Sequence, residues 1–343
     1  MSRESRVESR GPTTDRRPSA FPAKELLRRG IAFGGKALPA LARPFSPDGA
    51  ALSPIEEGVS AVARAAETVC AAFERDEKLR AFYGYGALQE QCILKDPGYR
   101  PLIPLGRLDS FLVGGAPRFL EYNTDGTAGW HYASALSGLW REREGLPAEA
   151  SPLPERLLET LVRCFRRWDR RGVEKPAIAI VDWREVGTRH EQEALAARFS
   201  ARGYPCGLAD PRELRLKSGR LVGPEGPIDL VYRRLVSEEA FARPEEVRPF
   251  LDAFLSGAAC FVGSFRTDPA WSKLLFSVLS DPAWGRLFPK EIAEALPRWI
   301  PWTRRVESGE VSFEGERVEL DRLLVSQKGR FLLKPERAYE GSG

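Results

Sequence analysis

The first clear helical pattern in the sequence lies between residues 53 and 73, where apolar residues recur at the spacing of one helix face. That apolar stripe consists of Ile55, Val59, Val62, Ala66, Val69 and Phe73. Ser53, Pro54 and Glu56 are typical of an N-cap, of the first helical position and of a capping box, respectively. The pattern therefore predicts an amphipathic helix that begins at Ser53 and packs one face on the core.

Alternating apolar and polar residues next predict a β-hairpin. Its strands cover residues 107–113 and 118–123 and flank a Gly-Gly-Ala-Pro turn. The register depends on the turn, because a three-residue loop of Gly114–Ala116 and a two-residue loop of Gly115 and Ala116 pair the strands differently. The residues alone leave both registers open.

The register decides whether four polar side chains of this hairpin meet. Alternate side chains of a strand share a face, so Glu121 points the same way as Asn123, and Asp109 the same way as Arg107. The three-residue loop, or a bulge, would place Asp109 opposite Glu121. The two-residue loop would place Asp109 opposite Tyr122, with Glu121 on the far side. A shared site therefore requires the three-residue loop or a bulge.

Asp109, Glu121 and Asn123 offer oxygen atoms suited to a hard cation. Carboxylates with an amide oxygen, and without His or Cys beside them, favour Mg²⁺ over zinc. Mg²⁺ in proteins usually completes its shell with substrate phosphates and water, so a nucleotide is the expected partner. An ordinary hairpin with a hydrated polar face explains the same residues equally well.

From residue 176 onward, short apolar strands alternate with helical patterns. The predicted strands are 177–182, 206–209, 229–235 and 259–263, and the predicted helices are 189–202 and 243–256. This alternation is typical of a small parallel α/β lobe, but no G-x-G-x-x-G motif follows its first strand to indicate a dinucleotide site. Asp182, Arg233 and Arg234 lie at strand ends, where open α/β sheets bind ligands, although surface salt bridges would explain them as well.

Two lysines near the C-terminal end are candidates for binding phosphate. Asp268 and Pro269 predict the start of a helix that carries Lys273. Residues 330–334 predict a strand that ends at Lys334 and precedes a loop with the sequence EGSG. A lysine meets a phosphate as a point charge, while backbone amides of a glycine loop can close over other phosphates.

Composition narrows the class of protein. The chain has 343 residues, of which 43% are hydrophobic and 29% charged, with a net charge of +4. This near balance produces no strong positive electrostatic field of the kind that indicates nucleic-acid binding. The five cysteines are scattered, which argues against a disulfide framework or a zinc site. With no apolar run long enough to span a bilayer and no signal peptide, we expect a soluble, cytoplasmic protein without a membrane partner. Residues 1–50 predict a disordered or loosely packed lead-in.

Taken together, the motifs resemble a known family. Their order is R-x-D, then E-x-N-x-D, an α/β lobe, a helix with S-K-L-L, and finally L-K-P-x-x-x-x-E-G. This order resembles the circularly permuted ATP-grasp ligases of the glutathionylspermidine synthase type, from about residue 53 to the C-terminus. The resemblance implies an α+β or α/β fold, ATP-grasp-like, with a small parallel α/β (pre-ATP-grasp) lobe at 171–265. Residues 51–170 would hold the hairpin, and residues 266–343 would begin an incomplete nucleotide-binding lobe.

The resemblance also implies an activity and its residues. The family consists of ATP-dependent carboxylate–amine ligases that act through an acyl phosphate, with small-molecule acid and amine substrates. By motif, Asp109, Glu121 and Asn123 would hold Mg²⁺, and Arg107 would face the substrate carboxylate or acyl phosphate. The ATP phosphates would be contacted by Lys273 and Lys334, and covered by a loop of Gly341, Ser342 and Gly343.

The sequence departs from the family at its end, because it stops inside the expected glycine loop. We therefore expect an incomplete nucleotide lobe with weak or absent ATP binding, unless a partner supplies the remainder. The alternative hypothesis is a non-catalytic or partner-dependent protein that keeps the ATP-grasp-like fold for binding only.

Overall fold

The computed structural model describes residues 21–336, apart from residues 42, 46, 48 and 148–150. The predicted glycine loop of Gly341, Ser342 and Gly343 lies outside the described residues, as do residues 1–20 of the predicted lead-in.

The described chain alternates helices with short strands. The helices are α1 (Ala23–Arg28), α2 (Gly49–Ala72), α3 (Glu77–Tyr83), α4 (Ala87–Leu94), α5 (Trp130–Arg143), α6 (Leu153–Trp168), α7 (Arg189–Ala201), α8 (Ser237–Ala242), α9 (Arg248–Ser256), α10 (Asp268–Trp271), α11 (Leu274–Ser280), α12 (Lys290–Trp299) and α13 (Leu320–Ser326). The strands are β1 (Ala32–Phe33), β2 (Lys36–Ala37), β3 (Arg107–Val113), β4 (Ala116–Asn123), β5 (Ile178–Val181), β6 (Cys206–Ala209), β7 (Arg215–Lys217), β8 (Arg220–Gly223), β9 (Gly226–Ile228), β10 (Leu230–Arg233), β11 (Cys260–Val262), β12 (Glu310–Phe313) and β13 (Glu316–Glu319). None of the helices described here has the length and apolar character needed to cross a bilayer.

A four-stranded parallel sheet forms the α/β part of this mixed α/β protein. Its strand order is β11-β10-β5-β6, and every neighbouring pair is parallel. Helices α6 and α7 pack on one face and α8 and α9 on the other, so β5, β10 and β11 are buried along their whole length. The predicted parallel strands are therefore confirmed as one sheet, and their burial explains the near-continuous apolar runs.

Helix α2 organises a second core that joins distant parts of the chain. It packs with the β3–β4 hairpin and with α10, α11 and α12, so segments predicted at 51–170 and 266–343 share one hydrophobic core. The helix begins at Gly49, earlier than the predicted Ser53, and Pro54 lies inside it. Pro54 removes one hydrogen bond near the N-terminal end, where the helix can still continue. Val59, predicted to face the core, is 39% exposed, because the buried stripe begins only at Gly58 and Ala61.

The N-terminal segment differs from the loosely packed lead-in that its glycines and prolines predicted. Residues 21–41 form α1 and the β1–β2 hairpin, and Leu26 and Ile31 are fully buried against α5. The glycines serve turns, since Gly30, Gly34 and Gly35 all have positive φ. This part of the lead-in is therefore packed.

The predicted strand at residues 330–334 does not form. Residues 328–330 make one short 3₁₀ turn, and residues 331–335 belong to no helix or strand of the described part of the chain. Phe331 instead packs its ring against Trp302 and Phe313, with ring centroids 5.5 and 5.6 Å away. Another predicted boundary also moved: the helix predicted at 243–256 begins only at Arg248, as α9.

Candidate functional site

A bulge in the β3–β4 hairpin places the polar residues opposite one another. Gly114 and Gly115, with φ of 59° and 80°, form a two-residue turn, and Val113 pairs with Ala116. The register then shifts between Ser110 and Asp109, leaving Leu120 as the extra residue. Beyond the bulge, Asp109 pairs with Glu121 and Arg107 with Asn123. The turn is neither of those considered from the sequence, yet the bulge produces the shared face that a metal site requires.

The bulge also explains how the hairpin attaches to the protein. Phe119 and Tyr122 are 2% and 7% exposed and belong to the core around α2. Residues three apart on a regular strand face opposite sides, so both can be buried only because Leu120 interrupts the alternation. Gly58 of α2 permits the close approach, since a Cβ there would lie 3.0 Å from the Phe119 ring. The opposite face is left for the polar residues.

Arg107 and Asp109 form a bidentate pair on this polar face. Arg107 Nε lies 2.8 Å from one oxygen of Asp109, and Nη2 lies 3.1 Å from the other. This hydrogen bonding raises the pKa of Arg107 despite partial burial, so the guanidinium stays charged. Arg107 Nη1 also donates to the carbonyl of Ala128 at 3.2 Å, which ties the pair to the turn after β4. Both side chains remain about half exposed and accessible to a ligand.

Lys273 approaches the same face from a break between two helices. Its Nζ lies 3.5 Å from Glu121 Oε1, and the two side chains are 16% and 22% exposed. The sequence predicted one helix through Lys273, but Ser272 has ψ 137° and separates α10 from α11. Lys273 thus occupies the N-cap of α11, from which its side chain reaches the hairpin. This contact brings together two predicted site residues that are far apart in the sequence.

Asn123 carries an unmet hydrogen-bonding group. Its Nδ2 is buried and has no partner among the described residues. The oxygen and nitrogen of a side-chain amide are assigned from their hydrogen-bond partners. Rotating the Asn123 amide by half a turn would place its oxygen, instead of Nδ2, at this unpartnered position. A buried oxygen without a donor, beside two carboxylates, suits a hard cation. The donor set would suit Mg²⁺ only with the amide rotated in this way, and no group of three His, Cys, Asp or Glu side chains able to hold a metal exists in the described ranges.

A cleft of about 510 Å³ lies next to the hairpin and is lined by both candidate lysines. Lys273 and Leu120 belong to its wall on the hairpin side, and Lys334 to the wall formed by residues 330–334. Glu336 fastens this second wall: its carbonyl accepts from Lys273 N at 3.3 Å, and its carboxylate accepts from Ser272 Oγ at 3.2 Å. Lys334 therefore lines the same cleft as Lys273, although the strand predicted at residues 330–334 does not form.

Arg304 is a residue of the cleft that the sequence analysis missed. It lines the wall together with Trp302, over whose ring its guanidinium lies 4.9 Å from the centroid. Its side chain is 5% exposed, with Nε 3.3 Å from Asp281 and Nη1 donating to Ser280 Oγ at 3.0 Å. Burial lowers the pKa of Arg304 from its usual value. The segment around it, PWTRRV, has no periodicity or motif that could have indicated this position.

Arg233 and Asp125 connect the polar turn after β4 with the parallel sheet. Arg233 Nη1 donates to Asp125 Oδ1, and both side chains are essentially inaccessible to water. Asp125 also accepts from Ser237 N at 2.7 Å. Asp268, predicted to cap a helix, instead joins this cluster and accepts from Ser237 Oγ at 2.7 Å. Burial and the neighbouring charge of Asp125 raise the pKa of Asp268.

A second buried pair lies beside the first. Arg234 Nη1 is 3.2 Å from Glu191 Oε2, and Glu191 also accepts from the backbone amides of Gly129 and His131 at the start of α5. Arg233 and Arg234, considered as ligand-binding or surface residues, therefore form internal links between the sheet and the turn after β4.

Asp182 completes the polar residues at this edge of the sheet. It accepts from Trp183 N at 2.9 Å and from Gln192 Nε2 at 2.6 Å. Burial raises its pKa to about 6 in spite of nearby Arg234.

Comparison with known proteins adds little. No protein-family model matches the chain, and neither does any curated protein. Among solved structures, it is similar to the apo form of a glutathione synthetase-like effector, GSS30, from Globodera pallida. The two share 13% sequence identity with a TM-score of 0.49, over 80% of this chain and 68% of that chain. Similarity at this level establishes neither a family nor an activity.

Proposed function

We propose that the chain binds Mg²⁺ and ATP between the β3–β4 hairpin and the lysine cleft, as part of an ATP-dependent carboxylate–amine ligase. The observation that supports this most strongly is the pairing of Asp109 with Glu121 beside Lys273, which lines the same cleft as Lys334. The motif order that resembles the permuted ATP-grasp ligases supports the same assignment.

The charges of the hairpin face match what such a ligand requires. Asp109, Glu121 and Asn123 supply oxygen ligands for Mg²⁺, and Arg107 and Lys273 supply positive charge within 2.8 and 3.5 Å of those carboxylates. Bound Mg²⁺ would neutralise phosphate charge and polarise the transferred phosphoryl group. Acids and bases interleaved in this way can bind a metal and an anionic ligand side by side.

The chain's own residues would act by positioning. Transfer of a phosphoryl group to a carboxylate brings two anions together, so orientation and charge neutralisation supply most of the rate enhancement. In this proposal Arg107 orients the substrate carboxylate, while Lys273 and Lys334 hold the phosphates. The resulting acyl phosphate would then be attacked by the amine, forming the amide bond and releasing phosphate. Gly341, Ser342 and Gly343 are proposed to begin the loop that keeps water away.

A second candidate function is nucleotide binding without turnover, or turnover only with a partner. The observation that favours it is the unpaired wall of the cleft at residues 331–334. Leu332 and Leu333 are 80% and 67% exposed there, and no strand of the described part of the chain pairs with them. A wall without a sheet behind it would hold an adenine ring less firmly.

Thermal unfolding with and without Mg²⁺ and ATP tests the binding proposal. A ligand that binds only the folded state at about 100 times its Kd adds about 2.7 kcal/mol to the free energy of unfolding. We expect an increase in Tm that needs both components, is lost in Glu121→Gln, and is retained in Glu291→Gln, an exposed carboxylate on α12. The comparison uses the ligand-induced shift of each variant, since Glu121→Gln also removes the contact with Lys273. An equal shift in both variants, or none in the unaltered protein, would contradict the proposal.

A further inference from the structure

Helices α6 and α7 border a groove of about 740 Å³ on the side of the parallel sheet away from α8 and α9. Arg163, Arg166 and Arg167 line it from α6, and Arg202 and Tyr204 line it from the end of α7. We refer to it as the α6–α7 arginine groove.

The three arginines of α6 form one cluster of positive charge. They are spaced i, i+3 and i+4, which places neighbouring Cβ atoms roughly 5–6 Å apart. All three are exposed, and none pairs with a carboxylate in the described part of the chain. Arg163 donates to Thr160 Oγ1 at 3.2 Å, and Arg167 donates to the carbonyl of Arg100, so both are held by neutral groups. Like charges at this spacing repel one another, so the cluster favours a bound anion.

The carboxylates near the groove compensate only part of this charge. Glu155 lies 3.1 Å from Arg198 and 3.6 Å from Arg202, so its charge is already shared between two arginines. Glu155 lies toward the N-terminal end of α6, while Glu159 lies one helical turn before Arg163 but forms no ion pair with it in the described part of the chain. The basic part of the groove is therefore short, covering little more than one helical turn.

We propose that the α6–α7 arginine groove binds a compact anion that carries two or more phosphate groups. Guanidinium groups bind phosphate oxygens through paired hydrogen bonds, and several close together can share one polyphosphate chain. The volume lies in the range of pockets for small ligands. A nucleic-acid backbone fits less well, because it would have to continue past Glu155 and Glu159. This site is separate from the cleft of Lys273 and Lys334 and does not depend on the proposed ligase activity.

Calorimetric titration of the full chain with inorganic tripolyphosphate tests the inference. Lys273→Ala/Lys334→Ala serves as the background, so that the lysine cleft contributes nothing to the signal. In that background we expect Arg163→Gln/Arg166→Gln to weaken binding by about tenfold or more, since two charge-assisted contacts are lost. The matched control is Arg75→Gln/Arg322→Gln, which removes the same net charge from two exposed arginines elsewhere and should change the affinity by less than about twofold.

The outcomes are distinguishable. A loss of affinity in Arg163→Gln/Arg166→Gln but not in the control supports the inference. If ADP or ATP bound more tightly than inorganic di- or tripolyphosphate, the organic part of the ligand would be assigned to Tyr204 and the groove floor. Equal loss in the groove and control variants would show that only overall charge matters, and would overturn it. Absence of binding at low salt, or retention of single-stranded RNA with no affinity for tripolyphosphate, would overturn it as well.

Discussion

The buried pair of Arg233 and Asp125 offers a sharp test of how the hairpin is held to the sheet. Replacing Asp125 with Ala removes the carboxylate that Arg233 contacts and the acceptor for Ser237 N, 2.7 Å away. Arg233 would then be left with its charge at 1% exposure. Removing one partner of a buried ion pair costs about 3–5 kcal/mol, because the other charge stays desolvated.

Neighbouring groups limit this cost. Asp268 Oδ1 lies 3.9 Å from Arg233 Nη2, and without Asp125 its carboxylate can ionise more easily and compensate the guanidinium. The backbone amide of Ser237 would lose its acceptor, which increases the destabilisation by about 1–3 kcal/mol. Part of this amount is already included in the cost of losing the ion pair. We therefore expect Asp125→Ala to lower the free energy of unfolding by about 3–5 kcal/mol, a large part of the 5–15 kcal/mol typical of a folded domain.

Urea unfolding followed by circular dichroism measures this quantity. The control is Asp252→Ala, which breaks an exposed pair in which Arg248 and Asp252 are 57% and 43% exposed and should cost less than about 1 kcal/mol. Asp125→Asn keeps one acceptor and should fall between the two variants. If Asp125→Ala cost no more than Asp252→Ala, the argument that this pair fastens the turn to the sheet would be refuted.

Three further predictions concern the site, the core and the pH dependence. Lys334→Ala should weaken ATP binding in a titration while leaving Tm nearly unchanged, because the side chain is exposed on the cleft wall. Gly58→Ala should lower the free energy of unfolding by about 1–3 kcal/mol through overpacking, since its Cβ would lie 2.8 Å from the Trp299 ring. Gly138→Ala in α5, with nothing within 4 Å, should instead stabilise by up to about 1 kcal/mol. Burial raises the pKa of Asp182 to about 6, so the folded state binds a proton that the unfolded state has released, and stability should fall as pH rises from about 4 to about 6. Asp182→Asn should remove this pH dependence, which amounts to about 2 kcal/mol at most in the free energy of unfolding measured with urea.

Each of these predictions has an outcome that would contradict it. A collapse of Tm in Lys334→Ala would show that this lysine supports the fold. Equal effects of the two glycine substitutions would remove the argument for close contact between α2 and the hairpin. An unchanged pH profile in Asp182→Asn would mean that another buried group, with Asp268 the first to examine, causes the dependence.

Much of the α/β part could be predicted from local patterns. The strand Cys206–Ala209 forms at the predicted residues and helix α7 begins at the predicted Arg189, because their apolar patterns are short, clear and bounded by turn residues. The register of the hairpin could not be predicted, since it depends on a bulge at Leu120 that core packing of Phe119 and Tyr122 selects. Local sequence carries no signal for such a choice.

Long-range ion pairs could not be predicted from the sequence either. Glu191 has a suitable position to cap α7, yet it binds Arg234 and the start of α5, because leaving Arg234 buried without a counter-charge would cost more than losing a cap. The strand predicted at residues 330–334 failed for a related reason. Its apolar residues have strand propensity, but a strand forms only where a neighbour supplies hydrogen bonds.

The bulge at Leu120 has one more consequence, for how such a protein could diversify. The extra residue at 120 restores the pairing of Asp109 with Glu121, and this pairing depends on the backbone rather than on the side chain at 120. That side chain forms part of the cleft wall. Substitutions there could widen or narrow the cleft without disturbing the polar face proposed to bind an ion. Selectivity could therefore evolve at Leu120 independently of the chemistry at Asp109 and Glu121.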